Sequence, residues 1–485
     1  MGLQNQQKEL FGYNIDLDRR VRPENPLRKI AAAIDFSFAR AEVGRTYGQN
    51  GNVSVDPAVI LKMMFLLFFD NIASERELMQ IIPERMDYLW FLGYGLNDSV
   101  PNHSVLSKAR ARWGTKVFEQ LFLRTLGQCV AAGLVDGKKI HLDGSLVAAN
   151  ASTDSVVTGS AELIGALRQV YREQASKLTE GLGVLPVATP LGPINRTHVS
   201  TTDPEAELAR GRSTASRPSY KHHRVVDNAH GVITAHLTTG GSVKEDTQLL
   251  ELVEQHEGNT ALRVQTVVAD AQYGTVDNFL ECMDRGIEPH MADLAAAQAR
   301  GARRSEFFGE DRFIYDAVTD TYRCPAGQEM RRWQKRADKG AYQYMARAGI
   351  CDKCALRGQC TKAKSGRRIQ RFDRQEQLQQ ARARSQSKSA RRDRQRRKHL
   401  LEGSFADASN NHGFKRARWR GLWRQKIQNH LIAACQNIRI LLRKNVLQPA
   451  AALGMLNPEF FQLKNQVRSR EWLFSHRISS NVLWN

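Results

Sequence analysis

Residues 262–293 read LRVQTVVADAQYGTVDNFLECMDRGIEPHMAD, and this stretch decides the fold class. Its Val-rich opening has the continuous apolar character of a central strand covered on both faces, and it stops at Asp270. TVDNFLECMD then carries apolar residues at helical spacing, and GIEPH returns to a strand. Strand, turn, helix, strand is the rhythm of an α/β core.

The stretches upstream extend that core. KKIHLDGSLVAAN, residues 138–150, is a short β-type run, and a helical segment at 161–180 leads into a Gly/Pro/Thr-rich stretch, up to about Ser219, that reads as an exposed insertion. YKHHRVVDNAHGVITAHLTTGG, residues 220–241, holds two alternating runs around a turn at Asn228–Gly231, and EDTQLLELVEQHE, 245–257, follows as a helix. Residues 24–135 are helical throughout: 57–72, 74–92 and 104–135 place apolar residues three and four apart behind Ser or Asp N-caps. In NDSVPNHSVLSKARARWG, 97–114, a Pro-containing turn precedes a helix bearing Lys108, Arg110 and Arg112. This is either a helix-turn-helix presenting cations to DNA or a helix pair with a solvated basic face.

The chain has 485 residues, 41% of them apolar, which is too long for one compact core. Its formal charge of +21 makes a polyanion the expected partner. The longest apolar run, VILKMMFLLFFDNIA at 59–73, is broken by Lys62 and Asp70 and falls short of the roughly 20 residues that cross a bilayer. A nucleic acid is therefore favoured over a membrane. The N-terminus lacks a secretory layout, and Gln6 breaks the myristoylation pattern, so a cytoplasmic location is expected. Four of the seven cysteines, Cys324, Cys351, Cys354 and Cys360, fall in one short region with C-x2-C and C-x5-C spacings. They read as a closed four-thiolate zinc site, or else as reduced cysteines in a small packed insert. Cys129, Cys282 and Cys435 lie in apolar helical contexts and read as core.

One segment carries most of the chemistry. RRDRQRRKHLLEGSFADASNNHGFKRARWRG, 391–421, holds ten Lys or Arg side chains, and Glu402 stands at its centre. A carboxylate repels a phosphate backbone unless a divalent cation lies between them. Asp143 and Asp270 each end a β-type run, before small or Gly residues. Either alone is commonly a turn or capping residue, but the carboxyl ends of strands are also where α/β sheets bind ligands. Three carboxylates suffice to hold hard ions such as Mg²⁺, and two such ions about 3.5 to 4 Å apart can activate a water or 3′-hydroxyl and stabilise a leaving oxygen. The surrounding cations, Arg397, Lys398, Lys415, Arg416, Arg418 and Arg420 among them, would then hold the nucleic acid backbone. Trp419 and Trp423 suit either base stacking or a helix core, and His222 and His223 suit a structural role better than a ligand role. The basic tract Arg382–Lys398 reads as solvated or disordered without DNA.

Residues 140–152, 220–241, 267–279, 351–360 and 401–443 together resemble a bacterial insertion-sequence transposase of the DDE type. The resemblance implies an α/β fold: an RNase H-like mixed-sheet catalytic core with an all-α N-terminal domain and a small Cys-rich insert. The matching bounds are 1–135 for the helical DNA-binding domain, 136–300 for the first part of the core and 301–375 for the insert. Core helices at 376–450 and a tail at 451–485 complete the chain. It also implies Asp143, Asp270 and Glu402 as metal-binding catalytic acids, Mg²⁺ or Mn²⁺ as cofactor, and a homodimer in the nucleoid. The DNA partners would be double-stranded: terminal inverted repeats and a target. The family's Tyr, Arg, Glu, Lys signature is incomplete, with Gln395, Lys398 and Ser409 standing seven before, four before and seven after Glu402. Arg397, Lys415 and Arg416 are the candidate substitutes. A DNA-binding protein weakened in catalysis, a repressor or domesticated factor, is the competing expectation, and a stand-alone nuclease the third.

Overall fold

The computed structural model describes residues 15–47, 54–178, 191–211, 215–294, 297, 307–337 and 340–447. The expected C-terminal tail, 451–485, lies outside them. The chain forms two compact units, residues 1–264 with 397–485, and residues 265–396. These limits fall inside the stretches expected as the first part of the core, 136–300, and as its C-terminal helices, 376–450.

After a single helical turn at Leu17–Arg20, the first unit continues with helices α1 (Pro26–Ala33), α2 (Phe38–Val43), α3 (Pro57–Phe69), α4 (Glu75–Ile81), α5 (Met86–Leu92), α6 (Ser104–Trp113) and α7 (Lys116–Ala131). Asp56 caps α3 by accepting from the Ala58 amide, and Pro57 occupies the first turn, where its missing N–H costs nothing. Because α3 is apolar on nearly every face it sits inside the bundle, with Phe65 packed on Phe36, Phe69 and Phe91.

A sheet follows. Strand β1 (Lys139–Ala148) leads to the short pair β2 (Val156–Thr158) and β3 (His198–Ser200), with helices α8 (Ala161–Leu178) and α9 (Pro193–Thr197) between them. The described part of the expected insertion is thus structured, and β4 (Glu207–Ala209) pairs with the start of β5 (Arg217–Asp227). The turn at Asn228–Gly231 joins β5 to β6 (Ile233–Gly240), as the alternating pattern indicated, with Gly231 at φ 71° and the buried Asp227 accepting from the Gly137 and Ala229 amides. β1 pairs antiparallel with the other edge of β5 from Ile140↔Asp227 to Ala148↔Ser219. A 3-10 turn, Asp246–Gln248, then runs into α10 (Leu249–Thr260).

In the second unit, β7 (Thr266–Val268), α11 (Val276–Asp284) and β8 (Glu288–His290) form the expected βαβ element, with the two strands parallel. An antiparallel sheet of five strands comes next: β9 (Ile314–Asp316), β10 (Thr321–Arg323), β11 (Glu329–Arg336), β12 (Ala341–Ala346) and β13 (Arg368–Phe372). Its small core is Phe313, Tyr322, Met330, Tyr344 and Ile369.

Of the two expectations for the basic tract, solvated or disordered, the structure shows a folded segment with a solvated basic face: Arg384, Lys388, Arg391, Arg392, Arg396 and Lys398 are exposed. It lies in α12 (Gln375–Ser385) and α13 (Lys388–His412). An ion pair from Arg382 to Asp293 at 2.6 Å and a hydrogen bond between His290 Nδ1 and the buried Asp393 at 2.7 Å, with Ala381, Ser385 and Ala390 buried, tie the tract down on one side. The last helix, α14 (Leu422–Lys444), returns to the first unit and packs against α7, α3 and β6 through Ile427, Leu431, Ile432, Cys435 and Ile438. The N-terminal helices therefore share one core with the C-terminal helix. Among the described residues, no helix is long and apolar enough to cross a membrane.

Candidate active site

Asp143 is the fifth residue of the ten-residue β1, not its end. The strand runs on because Gly144 to Ala148 find partners in His223 to Ser219, and because Ala148 exchanges backbone hydrogen bonds with Lys415 and Ala417 at 3.0 and 2.8 Å. Asp143 lies opposite Arg224 of β5. Its Oδ1 accepts from the Gly144 amide at 2.9 Å, and its Oδ2 accepts from Arg397 Nη1 at 2.8 Å, which places the guanidinium of α13 directly on the carboxylate. Both side chains are partly sheltered, 25% and 14% exposed, so this contact is screened less than a surface pair.

The same helix is fastened a second time. Arg224, fully buried, donates to Ser404 O and Oγ at 3.1 and 2.7 Å and to Gln436 Oε1 at 2.9 Å, under the rings of Phe405 and Phe414. Arg397 and Ser404 are seven residues apart and so share the face of α13 that meets the sheet, where Leu401 and Ala408 are also buried. Glu402 lies roughly 140° round the helix from Arg397. It is exposed, on the same side as Gln395 and Lys398. Ser409, at the position of the family's Lys, donates its hydroxyl to Phe405 O at 2.6 Å.

A carboxylate that the sequence reading passed over comes alongside Asp143 instead. Glu245, at the start of the 246–248 turn, has a carboxylate oxygen within 4.8 Å of one from Asp143, and Glu402 does not join that pair within the same limit. Glu245 also pairs with Lys221 Nζ at 3.6 Å, and that ammonium donates to Val243 O at 2.7 Å. Nothing in EDTQLLELVEQHE sets Glu245 apart from an ordinary acidic residue in a first helical turn. Its significance comes from the β5–β6 hairpin, which returns the chain to β1.

Asp270, in the second unit, stands just past the carboxyl end of β7 and caps the turn 271–273 by accepting from the Gln272 amide at 2.8 Å. The four cysteines there line one cavity with Phe308, Phe313, Met330, Arg357 and Arg367. Burial raises the Cys360 thiol pKa, Arg367 pulls it down, and the other three cysteines push it up again. Cys129, Cys282 and Cys435 are core residues, as expected.

The basic candidates separate by exposure. Lys108 and Arg112 are exposed, the latter over the Tyr47 ring at 4.7 Å. Arg110 is a correction: it is 4% exposed, paired with Glu75 and seated 3.9 Å from the centre of the Trp419 ring, so it serves the interior rather than DNA. Lys398, Arg416 and Arg420 are exposed, and Lys415 reaches Ser145 Oγ, two residues past Asp143, at 2.9 Å. Arg418 is turned inward, bonded to Ile72 O and Asn71 and lying over Phe68, and burial lowers its pKa to about 10. Trp419 is core, donating to Glu75 and packing edge-on to Phe68, and Trp423 lies partly buried under Arg424. His222 and His223 are buried inside β5, and burial takes the His223 pKa down to about 3.

Two family models match the chain: a "Transposase domain (DUF772)" over residues 15–112 and a "Transposase DDE domain" over residues 323–442. The chain is also similar to the "Putative transposase for insertion sequence element IS402" of Burkholderia cepacia, with 30% identity over 143 residues. That match covers 28% of this chain and 64% of the relative's length. No solved structure matches. A transposase domain match at the N-terminal end, a DDE domain match that includes Glu402, and the relative's similarity agree with one another: over these stretches the chain is similar to insertion-sequence DDE transposases.

Proposed function

We propose that this chain cuts DNA at the ends of an insertion sequence and joins the freed 3′ ends to target DNA. The observation that carries the reading is the contact of Arg397 with Asp143, which fixes the helix bearing Glu402 onto the strand bearing the first acid. The element order, an antiparallel β1–β5–β6 group followed by α10 and then β7–α11–β8, supports an RNase H-like core. In this reading Asp143, Asp270 and Glu402 hold the divalent cation, Mg²⁺ or Mn²⁺. Hard carboxylate oxygens are the donors such ions take, and the glycine after Asp143 lets a further carboxylate, that of Glu245, come close beside it. Bound there, the cation would supply Lewis acidity toward a scissile phosphate and toward a water or 3′-hydroxyl nucleophile.

The protein's own groups do the rest. Arg397 holds Asp143 oriented, and Lys415, anchored at Ser145, offers an ammonium where the family's Lys is missing at Ser409. Exposed Lys388, Arg391, Arg392, Arg396 and Lys398 on α13, with Lys108 and Arg112 on α6, neutralise the backbone of terminal repeats and target. Assembly on two paired ends calls for a homodimer. The four cysteines of the second unit are assigned to a structural Zn²⁺, with Arg357 and Arg367 nearby to offset the thiolate charge. Replacing Asp143, Asp270 or Glu402 with Ala is expected to abolish Mg²⁺-dependent cleavage of element-end DNA while binding persists. Undiminished cleavage would defeat the assignment.

One observation favours the competing reading of a DNA binder weakened in catalysis. The Ser409 hydroxyl is spent on Phe405 O, so it supplies neither the charge nor the reach of a lysine. A protein that binds end DNA and cuts nothing with Mg²⁺ present would establish it.

A further inference from the structure

Two carboxylates side by side repel one another, and a cation shared between them relieves that repulsion. Asp143 and Glu245 are such a pair, with oxygens within 4.8 Å. Two oxygens bound to one Mg²⁺ at about 2.1 Å each are separated by no more than about 4.2 Å, so a small movement would let a single ion take both.

The backbone between them is shaped for this approach. A Cβ added at Gly144 would stand 2.8 Å from both Cδ and Oε1 of Glu245. Gly144 is not among the glycines with positive φ, so the main chain there does not demand glycine. A side chain there would have to push the Glu245 carboxylate aside. The loop carrying Glu245 is fixed as well: Lys221 reaches it from β5 through both Val243 O and the carboxylate, and the Gln248 amide donates to Glu245 O at 3.0 Å. Arg397 pairs with Asp143 and Lys221 with Glu245.

We infer that Glu245 is a further metal-binding carboxylate of the cleavage site, holding the divalent cation together with Asp143. The inference rests on the proposed reading of Asp143 as a metal ligand. It adds to the three acids a fourth, which the hairpin delivers and which the motif spacing does not contain. Its competitor is a purely structural role in which Glu245 does no more than pair with Lys221.

The test is Mn²⁺ binding to the full-length protein without DNA, read by electron paramagnetic resonance of free Mn²⁺, for wild type, Glu245→Gln, Glu245→Asp and Asp143→Asn. Thermal unfolding without metal serves as the control for folding. Glu245→Gln keeps the size and a hydrogen bond to Lys221 but removes the charge, and it is expected to weaken Mn²⁺ binding at least tenfold. Glu245→Asp should recover part of the affinity, and it decides the matter if the Gln variant unfolds. Asp143→Asn should weaken binding as strongly as Glu245→Gln. If Asp143→Asn loses Mn²⁺ while both Glu245 variants bind like wild type, the inference fails and the site reading stands. If neither position affects Mn²⁺ binding, both fail.

Discussion

Arg397→Ala separates the structural and catalytic roles of the contact on Asp143. The guanidinium makes one hydrogen bond of 2.8 Å to Oδ2 and a longer one, 3.4 Å, to Leu142 O. Hydrogen bonds to charged groups contribute about 1.5–3 kcal/mol, and the residual exposure of 14% and 25% puts this one near the lower end. The variant should therefore lose about 1.5 kcal/mol of stability without metal. A cation binding at Oδ2 must displace the same guanidinium. Removing it in advance should tighten Mn²⁺ binding about tenfold, because about 1.4 kcal/mol corresponds to one decade. Saturating Mn²⁺ should then return most of the lost stability. The assay is urea unfolding followed by tryptophan fluorescence, with and without Mn²⁺, since four of the five tryptophans among the described residues lie in the unit that holds Asp143. A variant whose unfolding midpoint matches wild type without metal, or which binds Mn²⁺ more weakly, would refute the reasoning.

Glu75→Ala should be far more damaging than its position on a partly exposed helix suggests, about 3–5 kcal/mol by denaturant unfolding, because it strands the buried Arg110 and removes the acceptor of Trp419. The buried histidines make the protein acid-sensitive. In the folded state His223 has a pKa of about 3 and His256 of about 4, both below the ordinary 6.5, so the unfolded chain binds the extra protons. Their stabilising contribution is complete above about pH 6.5 and falls by about 1.4 kcal/mol per pH unit for each as pH drops toward the folded values. His256→Gln should shallow that slope in a pH series of unfolding curves, and an unchanged slope would count against it. One zinc per chain should be released to a colorimetric chelator on thiol modification, and Cys351→Ser should abolish it; metal-free protein from a zinc-supplied preparation would overturn that assignment.

Much of the architecture could be read from local pattern. The Val-rich run before Asp270, the alternation either side of Asn228–Gly231 and the apolar α3 each carry their period within a single element, and each forms as that period indicates. The errors share a physical cause: partners far away in sequence. Arg110 looks like a DNA contact until Glu75 and Trp419 close over it, and Arg418 until Ile72 and Phe68 do. The tract 382–398 reads as solvated or disordered by composition and does keep an exposed basic face, yet His290 and Asp293 supply the partners of Asp393 and Arg382 that hold its other side. Glu245 was illegible for the same reason, since it is the hairpin, not the spacing, that carries it to Asp143.

The most direct test of the account is cleavage of a plasmid carrying the element's own ends by the full-length protein, with Mg²⁺ or with EDTA, for wild type and Asp143→Asn. The account predicts strand breaks at the ends for wild type with Mg²⁺ alone, and none for Asp143→Asn despite retained binding to the same DNA. Equal cleavage by the two proteins, or cleavage by wild type in EDTA, would contradict it.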